Sequence, residues 1–254
     1  MRSVTTMSDD REPTLLVVGA AGRSLGEAVV NEATKNYDFS RIFSAGITGE
    51  TLYCDIRNVN SIKECLMESM PTYIVCTVGV NEPHQMRYAG MGITMNEAFS
   101  VNVIGPMELL HRFITSATRH PQENTGKFRR RFVAISSNSA RIPRTGSAPY
   151  CASKAALSMA LRVAARELAP DEWAPLVWGY EPGLLAGTPM TQRTIDDFGS
   201  PTGDPSFGAR LHRMKGVGAL GLSKEELAER IMADVVYGSP GLNGCMMPFD
   251  AGEL

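Results

Sequence analysis

From Thr14 onward, short apolar runs alternate with longer amphipathic stretches. That rhythm admits few architectures, and the simplest is a parallel sheet with helices packed on both of its faces. Seven runs read as strands: TLLVVGA (14–20), RIFSAG (41–46), TLYCDI (51–56), TYIVCTV (72–78), RFVAISS (131–137), PLVWGY (175–180) and CMMPFD (245–250). Helical periodicity follows Gly22 and Ser61, runs from about Thr94 to Ala117 and from Pro149 to Leu168, and resumes at Ser223. Two of these helices open with the pattern of a capping box, Ser61 with Glu64 and Ser223 with Glu226. A chain of 254 residues, 43% of them hydrophobic, can bury one large α/β core. The reading is a single domain over 14–254 behind a polar tail, 1–13, that reads as disordered.

Two connections depart from the rhythm. About five residues separate the second and third strands, too few for a crossover helix, so the two are not expected to be adjacent parallel partners. The stretch 187–221 is rich in Gly and Pro and too long for an ordinary connection; it reads either as a substrate lid or as a surface loop.

A net charge of −2 offers no broad positive field for nucleic acid or an anionic membrane, so a small molecule is the expected partner. The basic run Lys127, Arg129, Arg130 and Arg131 reads as a solvated loop, with phosphate contact as the alternative. Cys54, Cys65, Cys76, Cys151 and Cys245 are scattered without metal-ligand spacing, which suits a reducing cytoplasm and predicts no metal. No apolar run approaches the length of a membrane span, and the first residues lack the apolar core of a secretion signal.

Chemistry enters directly after the first strand. Gly19, Ala20, Ala21, Gly22, Arg23, Ser24, Leu25 and Gly26 form a glycine turn that opens a helix. Such a turn lets backbone amides and the helix dipole approach a pyrophosphate, which makes the sheet Rossmann-like and doubly wound. At the tip of the second strand, Ala45 to Thr48, no acidic residue stands ready to accept from a ribose 2′-hydroxyl. Arg23 can pair with a 2′-phosphate instead, so NADP(H) is favoured over NAD(H). Asp55 reads as an acceptor for the adenine amino group or as a helix cap.

Tyr150 and Lys154 lie four apart in a helical segment and share one face. A desolvated ammonium beside a phenol can bring its pKa toward neutrality, which would make Tyr150 a general acid. Ser137 ends an apolar strand thirteen positions earlier, at the sheet edge where ligands bind, and its hydroxyl can donate to the same carbonyl oxygen. Around them, Met86, Tyr88, Met91, Met190 and Phe198 suggest an apolar or polycyclic substrate, or else ordinary core and subunit contacts.

With these pieces in hand the chain resembles the short-chain dehydrogenase/reductase family over nearly everything from Thr14 to Gly252. The matching motifs are the glycine turn, CDI with Asp55 and Ile56, CTVG with Gly79, FSVNVIG with Asn102, ISS with Ser137, YCASK, EPG with Pro182 and Gly183, and the closing FDAG. The resemblance implies an NAD(P)-dependent oxidoreductase acting between a ketone and a secondary alcohol. It makes Tyr150 the proton donor or acceptor and gives Lys154 the nicotinamide ribose and the lowering of the tyrosine pKa. Ser137 would orient the substrate, Asn102 would hold a water in a proton relay, and the segment from Pro182 and Gly183 to Thr188 would contact the nicotinamide amide. It also implies a homodimer or homotetramer. The motifs depart from the family in four places. The glycine turn is one residue long, and so is the link from Pro182 to Thr188. Asn-Asn-Ala-Gly is replaced by Cys76, Thr77, Val78 and Gly79, and the closing DGG by Asp250, Ala251 and Gly252. A competing reading is a degenerate member that senses nucleotide or acts as a scaffold.

Overall fold

A computed structural model describes residues 12–48, 50–84, 86–87, 89–117, 128–172, 174–198 and 222–249. Seven strands run in the order β3-β2-β1-β4-β5-β6-β7, and every neighbouring pair is parallel. They are β1 (Thr14–Val18), β2 (Arg41–Gly46), β3 (Leu52–Tyr53), β4 (Tyr73–Cys76), β5 (Arg131–Ile135), β6 (Leu176–Pro182) and β7 (Met246–Phe249). Helices α1 (Leu25–Asn36), α2 (Val59–Ser69), α3 (Met91–Phe99), α4 (Gly105–Ala117), α5 (Ala148–Leu168), α6 (Pro189–Phe198) and α7 (Lys224–Tyr237) connect them. Among the described residues no helix is long and apolar enough to cross a membrane.

Strand alternation builds the two halves of the core. Leu16, Val18, Ile74, Cys76, Phe132, Ala134 and Val177 face α2, α4 and α5, while Leu15, Val17, Val75, Val133, Ile135 and Trp178 face α1 and α7. Because both faces are covered, the central stretches of these strands, such as Leu15 to Val18 and Phe132 to Ile135, are apolar at successive positions instead of at alternate ones.

Three expectations are corrected. First, β2 and β3 are adjacent and parallel, with Ala45 opposite Leu52 and Gly46 opposite Tyr53. A crossover helix is needed when a chain must return along a full strand; here it steps back only far enough to pair two residues. Side chains replace the missing ladder: Ser44 N–H donates to Thr51 Oγ1 at 3.0 Å, Thr51 Oγ1 donates to Ser44 O at 2.9 Å, and Thr51 N–H donates to Ser44 Oγ at 3.1 Å.

Second, α2 begins earlier than its sequence pattern indicates. Asn58 is the cap, accepting from Asn60 and Ser61 amides, whereas the Ser61 hydroxyl accepts from Asp55 N–H at 2.9 Å, so the Ser61/Glu64 box does not form. The Ser223/Glu226 box does form.

Third, Arg130 and Arg131 are buried, not solvated. Arg130 lies 3.8 Å from the centroid of the Phe113 ring, and Arg131 donates to the backbone carbonyls of Val235 and Gly238 at the end of α7. The guanidinium supplies donors to carbonyls that have no helical partner. Arg131→Met is expected to cost about 2 kcal/mol in urea denaturation, the scale of charge-assisted hydrogen bonds lost from a buried site; an unchanged midpoint would remove Arg131 from the cap. Lys127 lies outside the described residues, as do 1–11, 199–221 and Asp250, Ala251 and Gly252. The expected tail and most of the expected lid are therefore not described; of 187–221, the described part carries α6.

Candidate active site

Strand order reverses between β1 and β4, and at the carboxyl ends of these strands a cleft of about 550 Å³ opens. Its floor is the glycine turn. Gly19 has φ +93°, and a Cβ there would lie 2.8 Å from Val78 N. Thr77, missed in sequence, stitches this turn to β4: its hydroxyl lies 3.0 Å from both Val18 O and Gly19 O. Ser24 caps α1 by accepting from Glu27 N–H at 3.1 Å. The longer turn places Arg23 at φ 59°, a conformation costly for a residue with a Cβ. Its amide donates to Glu27 at 2.6 Å and its carbonyl accepts from Lys224 Nζ at 3.1 Å, contacts that hold the turn in that shape.

Of the expected cofactor residues, Gly19, Gly22, Ser24, Leu25, Asp55, Ile56, Gly79, Tyr150, Lys154, Pro182, Gly183 and Thr188 line the cleft, and Arg23 and Gly26 do not. Gly26 packs behind the turn, where a Cβ would meet Gly19 O at 2.5 Å. Asp55 is not a helix cap. Its carboxylate accepts from Arg57 Nε at 3.0 Å and Nη2 at 3.1 Å, and these bonds hold its pKa below the usual carboxylate range. Both grounds for preferring NADP(H) also change: Arg23 stands off the wall, and Glu50, just past Thr48, lines the cleft.

On the opposite wall, α5 carries Tyr150 and Lys154 with the Lys154 Nζ 5.7 Å from the centroid of the Tyr150 ring. Lys154 is 2% exposed and donates to Ile135 O at 2.9 Å, and burial lowers its pKa to about 8. Tyr150 is not acidified as expected. Burial raises its pKa, and the opposing pulls come from a Ser137 hydrogen bond and from the Arg144 charge. Ser137 caps the short 3-10 turn Asn138–Ala140, accepting from Ser139 N–H at 3.1 Å.

Asn102 sits at a break in helical geometry. One predicted helix over Thr94 to Ala117 is α3 and α4 joined by a π segment, Ser100–Ile104, with Asn102 at its centre. The fully buried carboxamide accepts from Val80 N–H at 2.8 Å and donates to Val80 O and Ser153 Oγ, each at 2.9 Å. Both amide hydrogens are thereby used, so the side chain clasps the loop after β4 to α5.

Behind this wall sits Glu181 of β6, 1% exposed. It accepts from Arg141 Nε at 2.6 Å and from Ser158 Oγ at 2.8 Å; Ser158 Oγ is 2.8 Å from Ser136 Oγ, which donates to Lys154 O at 3.0 Å. One carboxylate thus ties together the loop after Ser137, helix α5 and the strand leading to Pro182.

The expected apolar wall is also corrected. Met190 lines the cleft, but Met86 is 74% exposed, and neither it nor Met91 reaches the wall. Beside Tyr150 stand Asn138, Ser139, Arg144 and Ser147. Tyr88 and the Phe198 side chain lie outside the described residues.

A family model described as short chain dehydrogenase matches residues 51–198, more than half of the chain. The chain belongs to the short-chain dehydrogenase family. No curated protein matches it. Among solved structures, this short-chain dehydrogenase is similar to levodione reductase, at 13% identity over 95% of this chain and 97% of that one, with a TM-score of 0.78. It is also similar to the 3-ketoacyl-(acyl-carrier-protein) reductase of Brucella melitensis complexed with NADH (17% identity, 95% and 98% covered, TM-score 0.74). A short chain dehydrogenase of Burkholderia cenocepacia in complex with NADP gives 18% identity, 94% and 89% coverage and a TM-score of 0.69. At such identities the likeness establishes the Rossmann-like fold.

Proposed function

We propose that this protein interconverts a ketone and a secondary alcohol with a nicotinamide dinucleotide, NAD(H) or NADP(H), as hydride carrier. The observation that carries the reading is convergence: Ser137, Tyr150 and Lys154 share one cleft with the glycine turn. The residues present fit the cofactor, because Gly22 leaves the turn's backbone open, with nothing within 4 Å of an added Cβ, and α1 begins there. Gly19, Gly22, Ser24 and Leu25 would hold the pyrophosphate, Asp55 and Ile56 the adenine, and Gly79, Lys154, Pro182, Gly183 and Thr188 the nicotinamide half. Bound there, the cofactor gives or takes the hydride.

The chain's own residues manage the proton. In reduction, Ser137 and Tyr150 donate hydrogen bonds to the substrate oxygen, and the phenol passes its proton to the developing alkoxide. A raised phenol pKa suits this direction, since it keeps Tyr150 protonated at neutral pH. The Lys154 ammonium stabilises the phenolate left behind. Polar neighbours at Asn138, Ser139 and Arg144 favour a substrate with polar groups beside its carbonyl. Exposed Ile104, Met159 and Val163 on and beside α4 and α5 support a homodimer or homotetramer, and a cytoplasmic setting fits the free cysteines.

The test is loss of reduced-nicotinamide absorbance over a panel of carbonyl compounds. With an active substrate, reduction should hold level through neutral pH and fall as pH rises past about 8, where Lys154 loses its proton. A rate that stays flat well beyond that value would take Lys154 out of the step.

A further inference from the structure

We infer that the substrate of this enzyme is an anion, a keto acid whose carboxylate is held between Arg144 and Arg193. The inference rests on the nicotinamide reading above and narrows its substrate to one charge class. Arg144 belongs to the segment between Ser137 and Tyr150 and lines the cleft with both. Its Nε donates to Ser139 Oγ at 3.3 Å and its Nη2 to Asn138 Oδ1 at 3.2 Å, so the guanidinium is oriented by the loop that begins at Ser137. Its charge reaches the phenol, where it opposes the rise in the Tyr150 pKa. Arg193 comes from another element, α6. Met190, three residues earlier and on the same helix face, lies 3.6 Å from where a Cβ on Gly79 would stand, and Lys154 Nζ lies 3.2 Å from that point. Arg193 lines the cleft one turn further along that face.

Charge is unevenly shared between the two ends of the cleft. Of the carboxylates that line it, Asp55 is paired with Arg57, Glu97 acts on that same guanidinium, and Glu50 packs onto Gly46 at the tip of β2. Among the described residues that leaves Glu82 at the reacting end, exposed in the loop that His84 N–H fastens to Gly146 O at 2.7 Å. Against it stand Arg144, Arg193 and Lys154. A cleft whose wall carries an excess of one charge raises the local concentration of the opposite one. When a substrate displaces water from these guanidiniums, a neutral ketone offers no counter-charge in its place, whereas a carboxylate supplies two matched acceptor oxygens. The ketone carbon takes the hydride and its oxygen the Tyr150 proton, giving a hydroxy acid and oxidised nicotinamide. The carboxylate stays charged from substrate to product, so the two arginines hold every state alike and their contribution belongs in KM.

Pyruvate, acetoacetate, levulinate and phenylglyoxylate, each beside its methyl ester, test this by loss of reduced-nicotinamide absorbance. The best acid is expected to exceed its ester at least about tenfold in kcat/KM, the scale of one charge-assisted pair. Arg193→Gln should lower that ratio about fivefold, with the loss in KM, and Arg193→Glu should lower it further. Arg144→Gln should also lower the ratio, whatever its effect on the phenol. Thermal melting of the variants confirms that the comparison is between folded proteins. Calorimetric titration of levulinate and methyl levulinate into the full-length protein with oxidised nicotinamide, which cannot reduce the ketone, reads the same preference without turnover. If the esters match their acids in rate and binding, if no acid binds while the dinucleotide does, or if the arginine variants depress acid and ester alike, the inference falls and the proposed activity stands. It falls in the same way if dihydroxyacetone phosphate is preferred to every keto acid. If neither form of the dinucleotide binds, the nicotinamide reading falls and takes this inference with it.

Discussion

Tyr150→Phe is expected to lower carbonyl reduction by about 10²- to 10⁴-fold, the usual worth of a positioned general acid. Reduced nicotinamide should bind the variant as tightly as wild type. The expectation follows from the position of the phenol: it shares the cleft with Lys154 and Ser137, and phenylalanine keeps the ring while removing only the oxygen that carries the proton. The ring also stacks near the Lys154 ammonium, so the variant preserves packing on that side. Single-turnover kinetics beside a binding titration separates chemistry from affinity. Should the variant retain wild-type rates, the proton comes from elsewhere, and a nucleotide-sensing or scaffolding role regains its footing.

The second large effect concerns a residue that does not line the cleft. Glu181→Ala is expected to lower folding stability by about 3 kcal/mol, because a buried, hydrogen-bonded carboxylate is removed while its partners stay. Arg141, Ser158 and, through it, Ser136 lose their shared acceptor, and the loop beginning at Ser137 loses its anchor on β6. Glu181→Gln retains an acceptor oxygen and the shape, and should cost less than the alanine variant. Because the network also fixes the Lys154 backbone, the reduction rate should fall in both variants, in the same order. Urea denaturation followed by circular dichroism gives the stability difference; a loss under about 1 kcal/mol would mean that the ion pair contributes little, as many exposed pairs do.

Much of this molecule is legible in its amino-acid sequence. Strand runs such as Leu15 to Val18 are apolar at every position because helices cover both faces, and hydropathy and period suffice to place them. The Ser223 capping box and the long α5 helix are equally local, since their signals lie within one turn of the residues they govern. Tyr150 and Lys154 belong to the same class: a spacing of four on a helix guarantees a shared face.

What the sequence misstates depends on contacts across the chain. Ser61 has the pattern of a helix cap but spends its hydroxyl on Asp55 N–H, because α2 starts earlier at Asn58. Arg130 and Arg131 look solvated until Phe113 and the end of α7 meet them from distant segments. Glu50 falls outside a window drawn at the strand tip, and only the fold-back of a two-residue strand brings it over Gly46.

The sequence by itself determined the layered architecture, the glycine turn after β1 and the shared helix face of Tyr150 and Lys154, since each is encoded by local pattern and spacing. Tertiary structure decided the environments: which carboxylate is left without a donor, which carboxamide is spent on backbone, and which ammonium is dry. Those depend on desolvation and on partners dozens of residues away, and neither is a property of neighbouring letters.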